Sequence, residues 1–156
     1  MNKRISIAFL WIIGTIFIPI AVEAKNVKNN FAIGLGYPYL SAKCKLIRNI
    51  FTEIRTVFEN NIQIYGIRGY YNFSSYNPLF WFTGFELDYT IFSNKGVSGD
   101  GFIIYSFVGA EHFINEKFSI VLDIGPAFIT LKERNFNLSV DSFEWVINLG
   151  VYCYLK

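Results

Sequence analysis

Histidine and cysteine are nearly missing from this chain. His112 is the sole imidazole, and Cys44 and Cys153 are the only thiols. One imidazole and two distant sulfurs do not assemble the four-ligand set of a structural metal site, so no metal or cofactor is expected. Charge is scarce as well, at 17% of residues. It forms no basic stripe, which argues against a nucleic-acid partner. Beyond residue 24 no apolar run reaches the ~20 residues that a membrane-spanning helix needs, and no helical periodicity of useful length appears. What the chain has instead is apolar and aromatic material, 53% and 19% of its 156 residues, with 17 Phe and 10 Tyr. It is dispersed by alternation. Such dispersal suits strands that are greasy on one face only.

The amino terminus follows another logic. Asn2-Lys3-Arg4 is basic, Ile5 to Ile18 is apolar, Pro19 breaks the run, and Val22-Glu23-Ala24 is a small-x-small site. That order predicts a cleaved signal peptide over 1–24 and export of a single domain over 25–156. The competing reading is an uncleaved anchor, since Ile5 to Val22 is close to spanning length. Removing Lys3, Arg4 and Glu23 from the 14 basic and 12 acidic residues leaves 12 and 11, a net charge of +1.

The plainest strand is the last. From Ser142 to Leu155 one parity holds Phe143, Trp145, Ile147, Leu149, Val151, Cys153 and Leu155; the other holds Ser142, Glu144, Val146, Asn148, Gly150, Tyr152 and Tyr154. Fourteen residues exceed the ~9–11 that cross a bilayer at a tilt. Earlier strands are expected from Phe31 to about Lys45, with Phe31, Ile33, Leu35, Tyr37 and Tyr39 on one face and Pro38 interrupting. Others are expected over Ile50 to Phe58, Ile62 to Phe73, Leu79 to Phe92, Phe102 to Phe113 and Phe118 to Leu131. Turns fall at Arg48-Asn49, Ser74 to Pro78 and Asn115-Glu116-Lys117, and polar loops at 93–101 and 132–141. Asn60-Asn61 suits a two-residue type I′ hairpin, because Asn tolerates positive φ. A loop of that length sets Glu59 opposite Ile62, Arg55 opposite Gly66, and Glu53 opposite Arg68, whose charges are expected to pair.

Seven strands are evident. An even number is needed if both chain ends are to lie on one side, so an eighth is inferred from dividing 30–46 near Pro38 or from the lead-in residues. The expected fold is all-β, an antiparallel up-and-down transmembrane β-barrel of eight strands. In lipid every backbone amide must be paired, and a closed sheet leaves no edge. Glu53, Arg55, Arg68, Glu86, Asp88, Asp123 and Glu144 fall on the parity opposite the large apolar residues, with Glu111 assigned inward too. A soluble lipocalin-like ligand carrier is the alternative, since alternation does not distinguish inside from outside. Tyr70, Tyr71, Phe73, Tyr76, Phe80, Trp81, Tyr152 and Tyr154 read as an aromatic girdle at the periplasmic interface.

On these features the chain resembles the small outer-membrane β-barrel proteins, the OmpA/OmpX-like group. The terminal frame carries the most specific likeness: a polar residue, a spacer, Gly, two spacers, a hydrophobic, a spacer and a final hydrophobic. Asn148, Gly150, Cys153 and Leu155 occupy it, although Cys153 and Leu155 replace aromatics and Lys156 follows. The resemblance implies outer-membrane lipid as solvent, insertion by the barrel-assembly machinery, and a side-chain-filled interior with no large pore. The expected protein is a monomer with a structural or surface-interaction role, its surface partner not specified by sequence.

Glu53, Arg55, Arg68, Glu86, Asp88, Glu111, Asp123 and Glu144 are therefore expected to form a self-satisfying lumen network, with a narrow cation path as the sharper alternative. The outer-membrane lipid A-modifying enzymes supply the other alternative, using a His, a Ser and an acid. Here no Ser follows His112 at the deacylase spacing, and the favoured register sends Ser119 to the opposite face; no catalytic residue is assigned. Cys44 and Cys153 are expected to stay reduced, because antiparallel closure of seven strands with an inferred eighth sets them at opposite ends.

Overall fold

The structure is a computed structural model that describes residues 30–76, 78–94, 96–134 and 138–155. The signal peptide expected over 1–24 lies outside the described residues. Eight antiparallel strands close in sequence order into one barrel: β1 (Phe31–Gly36), β2 (Tyr39–Ile47), β3 (Ile50–Glu59), β4 (Ile62–Tyr76), β5 (Leu79–Asn94), β6 (Val97–Phe113), β7 (Phe118–Glu133) and β8 (Ser139–Leu155). The eighth strand comes from division at Pro38, as the strand count requires. Both Phe31 and Leu155 lie at one end, paired with each other across the β1–β8 seam.

The hairpin register at Asn60-Asn61 is the one the loop length dictates: Glu59 faces Ile62, Arg55 faces Gly66, and Glu53 faces Arg68. The turn itself differs from type I′, since only Asn61 has positive φ, at 74°. The strands also run further than the loop chemistry suggested. Residues 93, 94 and 97–101 of the expected loop are strand, with Gly96 at φ 87° in the connection, while Lys95 lies outside the described residues. Of the second loop, Lys132, Glu133 and Ser139–Asp141 are strand, and residues 135–137 lie outside the description. Ladder pairing at a sheet's end overrides the local turn preference of Ser, Gly and Asp.

The closure has a measurable offset. Paired residues lead from Leu35 through Leu40, Thr56, Tyr65, Tyr89, Phe102 and Thr130 to Asp141 on β8. Leu35 itself pairs with Val151, ten positions further along β8 (151 minus 141). That shear requires tilted strands, typically by about 35–45° in barrels. The wall is uneven. β1, β2 and β3 have 6, 9 and 10 residues, whereas β4 to β8 have 15 to 17. Among the described residues, β8 pairs with β1 only from Gly150 to Leu155.

The faces sort as alternation demands. Trp145, Ile54 and Leu87 are 68%, 61% and 56% exposed on the outside, while Arg68 is 1% exposed within. Tyr39 is a correction. It was placed on the outer face with Phe31, yet it points inward, because the connection at 37–38 resets the parity between β1 and β2. The aromatic girdle is a second correction: Tyr70, Phe80, Tyr152 and Tyr154 are buried inside the barrel. Among the members of that group whose side chains are described, Trp81 alone is markedly exposed. Cys44 and Cys153 are a third. Both lie at the end that holds the chain termini, on the strands flanking β1, and remain free thiols. Two strand spacings, about 9–10 Å, separate such positions, beyond the ~7 Å reach of a disulfide.

Candidate functional site

The barrel interior is the candidate site, and its chemistry comes from inward positions that alternate with the greasy ones. At the terminus end, Lys43 on β2 is enclosed at 2% exposure. Its Nζ donates to Glu111 Oε2 at 2.7 Å and lies 5.1–5.3 Å from the ring centroids of Phe51, Tyr70, Tyr152 and Tyr154. Glu111 Oε1 also accepts from Ser119 Oγ at 2.6 Å and Tyr154 Oη at 2.7 Å. A buried carboxylate with three donors and a buried ammonium within four aromatic faces are each compensated. Phe80, Phe113 and Tyr154 pack ring against ring beside them.

Arg68 on β4 organises the middle. Its Nε and Nη2 donate to Glu86 Oε2 at 2.9 and 2.5 Å, and its Nη1 donates to Asp123 Oδ2 at 2.7 Å. Asp123 Oδ1 accepts from Tyr105 Oη at 2.7 Å and Asn148 Nδ2 at 2.9 Å. The guanidinium lies over the Phe107 ring, 4.0 Å from ring centroid to Cζ. Glu53 belongs to a neighbouring group: Oε1 accepts from Arg55 Nε at 2.9 Å and Tyr152 Oη at 2.6 Å. So the strand register was read correctly, but the expected Glu53–Arg68 pair is replaced. Glu53 takes Arg55, two positions along its own strand, while Arg68 takes Glu86, its ladder neighbour on β5, and reaches across the lumen to Asp123.

Towards the loop end the accounts do not balance. Arg55 stacks on Tyr39, 3.9 Å from the ring centroid, and its Nη1 lies 3.7 Å from Glu86 Oε2. Asp88 makes no ion pair among the described residues, and its buried Oδ1 accepts no hydrogen bond from the protein. Gly66 faces both Arg55 and Asp88 across the ladder. A Cβ there would collide with Asp88 Oδ1, so the missing side chain makes the space these groups occupy.

Seven of the eight residues expected in the lumen network are inside; Glu144 is the exception. It is exposed, accepting from Ser142 Oγ at 2.9 Å near the loop end of β8, where the inward parity rises past the enclosed part of the lumen. Lys43 was missed. Reading 30–46 as one strand put the β2 parity out of step; a break at Pro38 aligns Lys43 with Tyr39 and Ser41. The terminal frame also divides between faces. Asn148 and Gly150 turn inward, where Gly150 leaves room for the Tyr39 hydroxyl, while Cys153 and Leu155 turn outward. His112 is exposed on the outer face, and Ser119 is buried on the inner one. No trio of His, Cys, Asp or Glu side chains able to hold a metal converges among the described residues.

No protein-family model matches the chain. No curated protein matches it either. Among solved structures it is similar to the crystal structure of Neisserial surface protein A, with a TM-score of 0.56 and 13% sequence identity, covering 80% of this chain and 92% of that one. At that identity the likeness is one of fold. The closed ring described above is the eight-stranded, up-and-down architecture of small outer-membrane β-barrels.

Proposed function

We propose that the protein is a monomeric barrel of the bacterial outer membrane, with a structural or surface-interaction role, no enzymatic activity and no large pore. The segregation of its side chains carries this reading. An exterior of Ile54, Leu87, Phe85, Trp145 and Ile147 suits hydrocarbon, and an interior crossed by the buried Arg68, Glu86 and Asp123 supports a side-chain-filled lumen. A Lys or Arg at mid-bilayer costs ~2–4 kcal/mol, so the outer face excludes what the inner face collects. Asn148, Gly150, Cys153 and Leu155 are the segment offered to the barrel-assembly machinery. With the termini inside the cell envelope, the opposite end of the barrel, where β1, β3, β5 and β7 finish, is the one offered to a surface partner.

Fractionation followed by electrophoresis tests the placement. The protein is expected in the outer membrane, migrating as a compact band that shifts when boiled. A detergent-free, monodisperse monomer would replace this reading with the soluble ligand carrier. Planar-bilayer recordings are expected to show no large conductance. Lipid A acylation is expected to be unchanged by His112→Ala; a loss would make the protein an enzyme.

A further inference from the structure

Inside the loop end lies a cavity of about 170 Å³, lined among others by Tyr39, Arg55, Glu86, Asp88, Tyr105 and Asn148. One water needs only ~10–15 Å³ of such space, so several fit. Pro38, Val57 and Ile64, beside the outward connections, also line it, which sets its mouth at that end. Beneath it the Arg68 cluster and the Lys43 cage close the lumen.

The charges around this cavity are unequal. Outside the Lys43–Glu111 pair the inward groups are Arg55 and Arg68 against Glu53, Glu86, Asp123 and the half-buried Asp88, two cations against four acids, a formal surplus of two negative charges. Three oxygens there are buried without a protein partner. They are Asp88 Oδ1, the hydroxyl of Tyr39, a residue only 4% exposed, and Thr56 Oγ1, on a third lining residue. The guanidinium contacts of Glu86 all fall on Oε2, which leaves Oε1 beside the Gly66 notch, next to Asp88 Oδ1. Enclosed carboxylates without a counter-charge are costly, so the surplus calls for a cation.

We propose that this cavity is a dead-end binding site for a hydrated divalent cation, held between Asp88 Oδ1 and Glu86 Oε1. Two carboxylate oxygens match hard ions, and the double positive charge matches the surplus. With no third acidic, His or Cys ligand at hand, the ion keeps most of its water, for which the cavity has room and for which Tyr39 Oη and the Asn148 amide are partners. This goes beyond the envelope role, since it depends on the lumen alone and not on what the exterior meets.

Terbium is the probe, because Tyr39 and Tyr105 line the cavity and sensitise its emission. Full-length mature protein, folded in detergent as judged by its heat-shifted band, is titrated with Tb³⁺. Saturable emission is expected, displaced by Ca²⁺ or Mg²⁺ and not by K⁺ at matched ionic strength. Asp88→Asn should lower it at least tenfold, while Glu144→Gln leaves it unchanged. Emission untouched by Asp88→Asn, or displacement by K⁺ as effective as by Ca²⁺, would overturn the site. Should the variant fail to fold, the wild-type protein still decides. CaCl₂ must raise the temperature of the band shift above that in KCl of equal ionic strength, and no difference rejects the proposal.

Discussion

At the terminus end of the lumen one cation meets one carboxylate; from the middle to the loop end two guanidiniums face four. Lys43 and Glu111 are enclosed by Phe51, Tyr70, Tyr152 and Tyr154, with no polar atom of Glu111 left over. Arg55, Asp88 and the free oxygen of Glu86 instead border open space. The difference shows two ways of keeping charge inside a narrow sheet. Aromatic faces can replace water outright around a matched pair, or water and ions can be admitted to an unmatched group. The first makes a seal and the second makes a receptive chamber, and Arg68 stands between them.

Removing Arg68 should erase that boundary and produce the largest loss. Arg68→Met leaves Glu86 and Asp123 without their shared counter-charge, at ~3–5 kcal/mol in urea unfolding followed by the heat-shifted band. Exchanging the charges of Glu53 and Arg68 should not restore stability. The swap sets a guanidinium at position 53 beside Arg55 and a carboxylate between Glu86 and Asp123, so the double variant should be at least as unstable as Arg68→Met. A rescue would return the direct Glu53–Arg68 pair. Lys43→Met should cost somewhat less, ~2–3 kcal/mol, because Ser119 and Tyr154 still donate to Glu111. Adding Glu111→Gln should recover part of that loss in a double-mutant cycle; strictly additive losses would break the matched-pair account.

Smaller effects sharpen the same contrast. Gly150→Ala drives a methyl group against Tyr39 Oη and should cost ~1–3 kcal/mol, as overpacking does. Tyr39→Phe removes the colliding oxygen and should relieve it; an undiminished loss would mean that Gly150 matters for insertion and not for packing. Glu144→Gln should stay within about ±0.5 kcal/mol, since that side chain is solvated.

The parities of β3, β5, β7 and β8 were legible because each strand is long, unbroken and apolar on one side. The register of β3 against β4 was legible from loop length alone. Partner choice was not. Glu53 and Arg68 face each other on the ladder, yet Arg68 turns to its other ladder neighbour Glu86 and across the lumen to Asp123, and Glu53 to Arg55 on its own strand. The aromatics misled for a related reason. Tyr70, Phe80, Tyr152 and Tyr154 cluster near one end, and sequence records depth but not direction unless parity is followed strictly. Lys43 and Tyr39 were lost at Pro38, where two residues outside the ladder shift the count. Glu144 has inward parity and still meets solvent, because alternation does not say where the enclosed part of a strand stops.

The shortness of β1 has a mechanical consequence for the surroundings. Six residues rise about 15 Å or less once inclined, little more than a third of what the 16 and 17 residues of β7 and β8 present. In the proposed membrane placement, acyl chains beside that seam meet a hydrophobic height well below their own, and a bilayer answers such mismatch by thinning or by tipping its guest. The barrel should therefore sit leaning, with a dimple in the leaflet beside Leu35 and Leu40.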